Sequence, residues 1–208
     1  PPLPSSLVFN GDGCLFGHQQ SKESVRTSGQ VVILPRIMDV LCSHQVGVDN
    51  VVSPCSPSVT SRQIRLIGNL GSSLEVVIVA SDDVDGLKRA FLDMDAFIEA
   101  GQSCKIALLP PGQSVSKFVR DEGADRLREV IAGATSSLET YVSKVAELTP
   151  DNVEARFKAA ALVVKKAVPM EMLLRAVFLQ KVAQIFNLEP SSVEEMFGAA
   201  VDMTGQGV

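Results

Sequence analysis

Four short runs of β-branched and other apolar residues constrain the fold of this chain more than any other feature of its sequence. The runs cover Val31–Leu34, Asp49–Val52, Leu74–Ala80 and Lys105–Leu109, and windows with helical apolar spacing separate them. Strands that alternate with helices in this way are typical of a parallel sheet. Because the third run is apolar almost throughout, we expect both faces of its strand to be buried. The sequence therefore predicts an α/β domain with a parallel sheet flanked by helices.

The helical windows between these strands carry start and stop signals. Thr60, followed three residues later by Gln63, fits a capping box for a helix that runs to about Leu70. A second helix is expected to end at Gly101, because glycine favours the backbone conformation that terminates helices. Its apolar stripe, which we predict to face the core, consists of Leu87, Ala90, Phe91, Met94, Phe97 and Ile98.

The strand signals stop after Gly133, and long helical windows follow. We therefore predict a boundary near Ala134 and three regions. These are an N-terminal segment at residues 1–28, the α/β domain at residues 29–133 and an all-α helical appendage at residues 134–202.

The predicted appendage also contains signals for helix boundaries. Thr149 before Pro150 predicts a helix N-cap with proline at the first helical position, and Pro169 predicts a break before the next helix. A last short helix is expected to end near Ala200, and residues 203–208 are expected to form a frayed tail.

Composition and charge exclude several classes of protein. A chain of 208 residues that is 46% hydrophobic can bury a full core, which a disordered protein cannot. The net charge of -5 has the wrong sign for a surface that attracts nucleic-acid phosphates throughout, so nucleic-acid contacts are expected to be local. No apolar run reaches the roughly 18 residues that a membrane span needs. The four cysteines are widely spaced without zinc-ligand spacing, so we expect reduced thiols in an intracellular protein.

Three segments carry a family resemblance. Val31–Val40 reads VVILPRIMDV, Val76–Gly86 reads VVIVASDDVDG, and Leu108–Gly123 reads LLPPGQSVSKFVRDEG. Together they resemble the TOPRIM domain of bacterial-type DNA primases, a family that carries Glu-Gly-Tyr-Met-Asp, Asp-Gly-Asp and Asp-Pro-Asp segments at these places. The resemblance extends over about Leu15 to Phe197. It implies a TOPRIM fold followed by a helical region. The N-terminal segment resembles the end of the catalytic N-lobe of primases.

The resemblance also implies a degenerate catalytic site. An intact site of this family clusters carboxylates at strand ends, where they hold the magnesium that assists phosphoryl transfer. Four of five expected carboxylates fall on residues without an acid, and the fifth is retained as Asp83. The substituted positions are Pro35, Ser81, Ser114 and Ser116. We therefore expect no cofactor beyond weakly bound Mg²⁺.

Two interpretations of the acidic turn remain open. In one, Asp83 and Asp85 form a shifted Asp-x-Asp that still holds one cation, with help from Asp82. In the other, the turn is solvated and caps the helix that contains Leu87, since acids are favourable at a helix N-terminus.

Arg36 also has two interpretations. It falls in the predicted cleft, where it could pair with Asp82 or Asp83 and replace the metal with its own charge. Alternatively, it is an ordinary exposed arginine.

The basic and aromatic residues provide little support for nucleic-acid binding. With one Tyr and no Trp, the chain lacks the stacking platform that is typical of single-strand binders. Four basic residues on predicted helices fit either a phosphate contact or a solvated face: Arg62, Arg65, Lys88 and Arg89.

The sequence thus predicts a primase-like protein without catalytic activity, a structural or accessory subunit of a nucleic-acid-processing complex in a nucleoid or DNA-containing organelle. The alternative is residual magnesium-dependent nucleotidyl or phosphoryl transfer, completed by another subunit. The acidic charge favours protein partners, without a membrane. The expected docking surface is the helical appendage, because aromatic and Met side chains are enriched in interface cores. Its residues are Phe157, Met170, Met172, Phe178, Phe186 and Met196.

Overall fold

The computed structural model describes residues 13–205, with side chains up to residue 203. The chain divides into two compact units, one ending at Ser137 and the other beginning at Leu138. The predicted N-terminal segment lies partly outside the described residues, as does the predicted tail. The domain bounds inferred from sequence remain predictions.

The first unit is built on a six-stranded mixed sheet with the order β1-β3-β2-β4-β5-β6. The central four strands, β3, β2, β4 and β5, are parallel, whereas β1 and β6 run antiparallel to their neighbours at the two edges. The strands are β1 (Leu15–Phe16), β2 (Gln30–Ile33), β3 (Val51–Pro54), β4 (Glu75–Ser81), β5 (Lys105–Leu109) and β6 (Thr135–Ser136).

Helices connect the strands in the order that the sequence predicts. They are α1 (His18–Ser28), α2 (Ile37–Gln45), α3 (Ser61–Gly68), α4 (Val84–Glu99), α5 (Val115–Glu122) and α6 (Ala124–Ala132). The capping box of α3 is present, since the Thr60 side chain accepts from the Gln63 N–H and the Gln63 side chain accepts from the Thr60 N–H. Gly101 follows α4 with a φ of 69°, in the left-handed region that glycine tolerates.

Both faces of the sheet are buried, as the apolar run in β4 predicts. Val77 and Val79 belong to a core cluster that also contains Phe118 of α5 and Leu127 of α6. Val76 and Ile78 alternate with them and are likewise buried, and α4 packs against β4. The sheet is therefore the middle layer of an α/β domain.

Two features of the sheet differ from the prediction by more than a one-residue shift. The second predicted strand lies two positions later, at β3, because pairing with β1 extends it to Pro54. The sequence did not predict β1 or β6, which are too short to produce an alternating pattern.

The second unit contains four helices among its described residues. They are α7 (Ser137–Glu147), α8 (Val153–Val164), α9 (Met172–Phe186) and α10 (Pro190–Gly205), with a single 3₁₀ turn at Lys165–Ala167 before Pro169. The predicted N-cap at Thr149 is wrong, because Asn152 caps α8 by accepting from the Ala155 N–H at 2.7 Å. The last helix also continues past the predicted end at Ala200.

Candidate functional site

A cleft of about 450 Å³ opens at the carboxyl ends of β2, β4 and β5. This is the edge at which parallel α/β sheets place their binding sites. The segment after β2 contributes Pro35 and Arg36 to the lining, β4 and the turn after it contribute Ser81 and Asp83, and the segment after β5 contributes Ser114. The structure therefore brings these sequence-predicted positions into one cleft.

Asp83 accepts hydrogen bonds from three donors of its own chain. It is the N-cap of α4 and accepts from the Gly86 N–H at 2.9 Å, while its other carboxylate oxygen accepts from the Ser81 hydroxyl and the Gly112 N–H. These bonds, that from Ser81 most of all, lower the pKa of Asp83 from 3.8 to about 2. Asp83 therefore makes the contacts expected if the acidic turn caps α4.

The other two acids of the turn do not complete a magnesium site with Asp83. Asp85 lies exposed in the first turn of α4, and the Asp82 N–H donates to the Leu109 carbonyl at 2.9 Å. Within the described part of the chain, no three His, Cys, Asp or Glu residues are grouped so that they could hold a metal ion. Magnesium is commonly held by one or two carboxylates together with waters and substrate phosphates, so the described residues of the turn supply at most part of an octahedral ligand set.

Arg36 pairs with Asp39 rather than with the predicted Asp82 or Asp83. Its Nε lies 3.1 Å from Oδ2 of Asp39, whose side chain is fully buried. Arg36 is the N-cap residue of α2, so its side chain lies one turn from Asp39, and the buried carboxylate needs a charged partner.

Asp39 has a second function in the site. Its Oδ1 accepts from the Ser116 N–H at 2.9 Å, which ties the start of α2 to the start of α5. Ser114 and Ser116, which stand at predicted acid positions, both lie at the start of α5. Ser114 caps this helix, and its hydroxyl lies 3.2 Å from that of Ser116. In the sequence, Asp39 is notable only as part of the family segment, and nothing there predicts this link.

The cleft contains one further acid that sequence reasoning missed. Asp93 is buried, accepts from the Val59 N–H at 2.7 Å, and has its pKa raised by burial from 3.8 to about 6. A signal was available, since Asp93 lies within the apolar stripe of α4, between Ala90 and Met94. An acid at such a position needs a partner.

Arg89 accompanies Asp93 in the lining of the cleft. Its Nη2 donates to the Ser56 carbonyl at 3.4 Å, and its buried Nε has no hydrogen-bond partner among the described residues. In the sequence, Arg89 is one of four scattered basic residues on predicted helices, whereas in the structure it lines the cleft.

The predicted docking residues of the helical unit differ in exposure. Phe178, Phe186 and Met170 are buried and expose almost no side-chain surface. In contrast, Phe157 is 39% and Met172 76% exposed. Of the predicted docking surface, the exposed apolar side chains of α8 and α9 remain as candidates for contact with a partner.

No helix among residues 13–205 is long and apolar enough to cross a bilayer.

Curated relatives resemble the chain over nearly its full length. The DNA primase of Myxococcus xanthus is 30% identical over 206 residues, which are 95% of this chain and 33% of the relative. The DNA primase of Haemophilus influenzae is 27% identical over 206 residues, which are 92% of this chain and 34% of that protein. This chain is homologous to the bacterial DNA primases. It spans about a third of the length of these relatives. No protein-family model matches.

Solved structures agree on the fold. A DNA primase domain from Pseudomonas aeruginosa superimposes with a TM-score of 0.79 at 20% identity, covering 94% of this chain and 62% of that one. A DnaG primase catalytic domain bound to single-stranded DNA gives a TM-score of 0.74 at 18% identity, covering 90% and 61%. The α/β architecture and the helical unit thus match the TOPRIM-containing catalytic core of primases.

Proposed function

We propose that this chain is a primase-like TOPRIM protein that does not synthesise primers and acts as a structural or accessory subunit of a nucleic-acid-processing complex. Its protein partners would belong to a replication, transcription or translation assembly. Nucleic acid would be contacted only locally, because the net charge is -5.

The state of the single retained carboxylate is the observation that carries this proposal. Magnesium-dependent phosphoryl transfer needs carboxylate oxygens that are free to coordinate the ion. Asp83 instead accepts from Ser81, Gly86 and Gly112, and the neighbouring positions Pro35 and Ser114 offer no carboxylate. A cleft with these contacts favours a structural use of the acid over catalysis.

A second candidate function is supported by one observation. Asp83 and Asp85 both line the cleft, and the lowered pKa of Asp83 keeps this carboxylate ionised at neutral pH. Residual magnesium-dependent nucleotidyl transfer would then require further ligands from another subunit and from substrate phosphates.

Calorimetric titration with magnesium distinguishes the two candidates. We expect no stoichiometric binding below millimolar concentration. A variant that combines Pro35→Glu, Ser81→Asp and Asp82→Gly restores acids at family positions and should bind magnesium measurably tighter. Sub-millimolar binding by the unchanged chain, lost in Asp83→Ala, would favour residual catalysis.

A primer-synthesis assay on single-stranded DNA tests the same proposal directly. The chain should make no primer with magnesium and nucleoside triphosphates, whether alone or in its native complex. Primer synthesis by the complex that disappears with Asp83→Ala would establish the second candidate instead.

The accessory role is tested by co-purification of the tagged chain from its native source. Met172→Glu with Leu173→Glu places charge on the exposed face of α9, where these side chains are 76% and 79% exposed, so it should release protein partners without unfolding the chain. The matched control is Gln180→Glu with Gln184→Glu, which adds the same charge at two exposed positions of the same helix. Retention of every partner by the first variant would exclude this face as the docking surface.

A further inference from the structure

Two cysteines face each other across the edge of the sheet. In the antiparallel pairing of β1 with β3, Leu15 lies opposite Pro54 and Phe16 opposite Ser53, so the next pair is Cys14 with Cys55. The Cys55 N–H donates to the Cys14 carbonyl at 3.4 Å, which continues the ladder by one step. The two Sγ atoms are 3.3 Å apart, and both side chains are partly exposed.

This arrangement is compatible with a covalent bond between the two sulfurs. Residues that lie directly opposite on antiparallel strands have Cα atoms about 4.5–5.5 Å apart. Disulfides span Cα separations of about 4.4–6.8 Å and need sulfurs about 2 Å apart. Small rotations of the two side chains can therefore close the gap while the strand pairing remains.

We propose that Cys14 and Cys55 form a redox-sensitive pair, a modification site that closes to an intramolecular disulfide with small-molecule disulfides such as oxidised glutathione and reopens with thiols. Closure would lock β1 and the segment after β3 together at the edge of the cleft.

The chemistry proceeds by two thiol–disulfide exchanges. The Cys14 thiolate attacks one sulfur of oxidised glutathione, forming a mixed disulfide and releasing one glutathione thiolate. The Cys55 thiol, once deprotonated, then attacks the Cys14 sulfur and releases the second glutathione. The protein loses two protons and two electrons, and oxidised glutathione is reduced to two glutathione molecules.

The order of attack follows from the environments of the two thiols. Burial, followed by its hydrogen bond to Cys14, raises the pKa of the Cys55 thiol to about 11. Because the Cys55 thiol donates its hydrogen bond to the Cys14 sulfur, that sulfur is the acceptor of the pair, and we assign the first attack to it.

The bond would act on the cleft through the segment that follows Cys55. The Ser56 carbonyl accepts from Arg89, and the Val59 N–H donates to Asp93 at 2.7 Å. Arg89 and Asp93 both line the cleft. A disulfide at Cys55 therefore restrains the segment to which both of these side chains bind.

Thiol counting and peptide mapping test the cross-link. After incubation of the full chain with oxidised glutathione, we expect free thiols to fall from four to two, and a non-reduced digest to contain a peptide joining Cys14 to Cys55. Cys14→Ser and Cys55→Ser should each abolish this peptide, whereas the matched control Cys42→Ser should retain it. Four remaining thiols, cross-links to Cys42 or Cys104, or disulfides between chains would overturn the proposal.

Hydrogen exchange tests the effect on the cleft. The amides of Cys55, Ser56, Ser58 and Val59 should exchange at least several-fold more slowly in the oxidised chain than in the reduced one, and dithiothreitol should reverse the change. Equal exchange in a chain that carries the cross-link would overturn the effect on the cleft.

Discussion

Three of the carboxylates in and around the cleft have partners within the protein. Asp39 is fully buried and joins Arg36 to the start of α5, while Asp83 caps α4. Asp93 is buried beside Arg89 with a raised pKa. A carboxylate that is engaged by backbone donors loses those hydrogen bonds if it moves to coordinate an ion, so the same contacts oppose metal binding.

The hydroxyl of Ser81 should control the ionisation of Asp83. Removing it with Ser81→Ala takes away the main cause of the lowered pKa, so the pKa of Asp83 should rise from about 2 toward 3.8. The ionised Asp83 contributes to the free energy of unfolding above pH 3.8, and this contribution is lost as the pH falls through about 2. In Ser81→Ala, the remaining contribution should be smaller and should be lost at a higher pH. Carbon-13 NMR titration of the carboxyl group provides the measurement. Ser116→Ala is the control and should leave the Asp83 titration unchanged.

Asp93 should make the protein less stable as the pH rises from about 4 to about 6. In this window the folded protein holds a proton that the unfolded chain releases, so the free energy of unfolding decreases with pH. Asp93→Asn keeps an acceptor for the Val59 N–H and removes the buried charge. It should abolish the slope and stabilise the protein at pH 7 by about 3 kcal/mol.

Urea unfolding at a series of pH values measures this effect. Glu99→Gln, at the exposed end of the same helix, is the control and should keep the slope. A persistent slope in Asp93→Asn would show that another group causes it.

The elements that follow β4 depend on a glycine for their geometry. A Cβ atom on Gly86 would lie far inside van der Waals contact with the Ser81 carbonyl oxygen, and this neighbour is backbone that cannot rotate away. The start of α4 is therefore packed against the end of β4 more closely than any side chain allows. This close approach also brings Ser81 and Asp83 together.

Gly86→Ala should destabilise the protein by about 2 kcal/mol through overpacking and should displace the start of α4. The control is Gly198→Ala in α10, where the added methyl group meets no atom within 4 Å. That substitution should be neutral or stabilise by up to about 1 kcal/mol, because alanine favours helix. Thermal unfolding compares the two variants, and equal effects would contradict the packing argument.

Periodicity and capping signals were sufficient to predict the central strands and α3. The run at residues 105–109 was predicted with the bounds of β5, and the Thr60 capping box was confirmed. The edge strands were missed because two residues produce no period, and their pairing depends on distant parts of the chain. The same limit applies to the site. The family resemblance predicted that Pro35, Ser81 and Ser114 lie in one site. The Arg36–Asp39 ion pair and the burial of Asp93 depend on side-chain packing, which the sequence does not reveal.

At the scale of the molecule, the end of the first unit is set by β6. Thr135 and Ser136 pair with Ile106 and Lys105, and the Ser137 N–H donates to the Cys104 carbonyl at 3.1 Å. The sequence placed the boundary before these residues, near Ala134. The strand pairing favours a first unit that includes them.

Two shortened chains test this boundary. A chain that ends at Ser137 keeps β6, whereas a chain that ends at Gly133 loses it. The shorter chain should be less stable by about 2 kcal/mol, because a few backbone hydrogen bonds are lost and β5 becomes an unpaired edge. Urea midpoints measure the difference. Equal midpoints would support the boundary inferred from sequence.

The two-residue edge strands have a consequence for association in concentrated solution. The interior strands β2 and β4 are almost wholly apolar, and strands of this kind pair readily with strands of other molecules when an edge is open. Antiparallel β1 and β6 cover both sides of the parallel block. Because each strand is two residues long in the described part of the chain, neither offers there a template long enough for a foreign strand to extend the sheet. Among residues 13–205, these two short strands thus separate the apolar parallel strands from the open edges of the sheet.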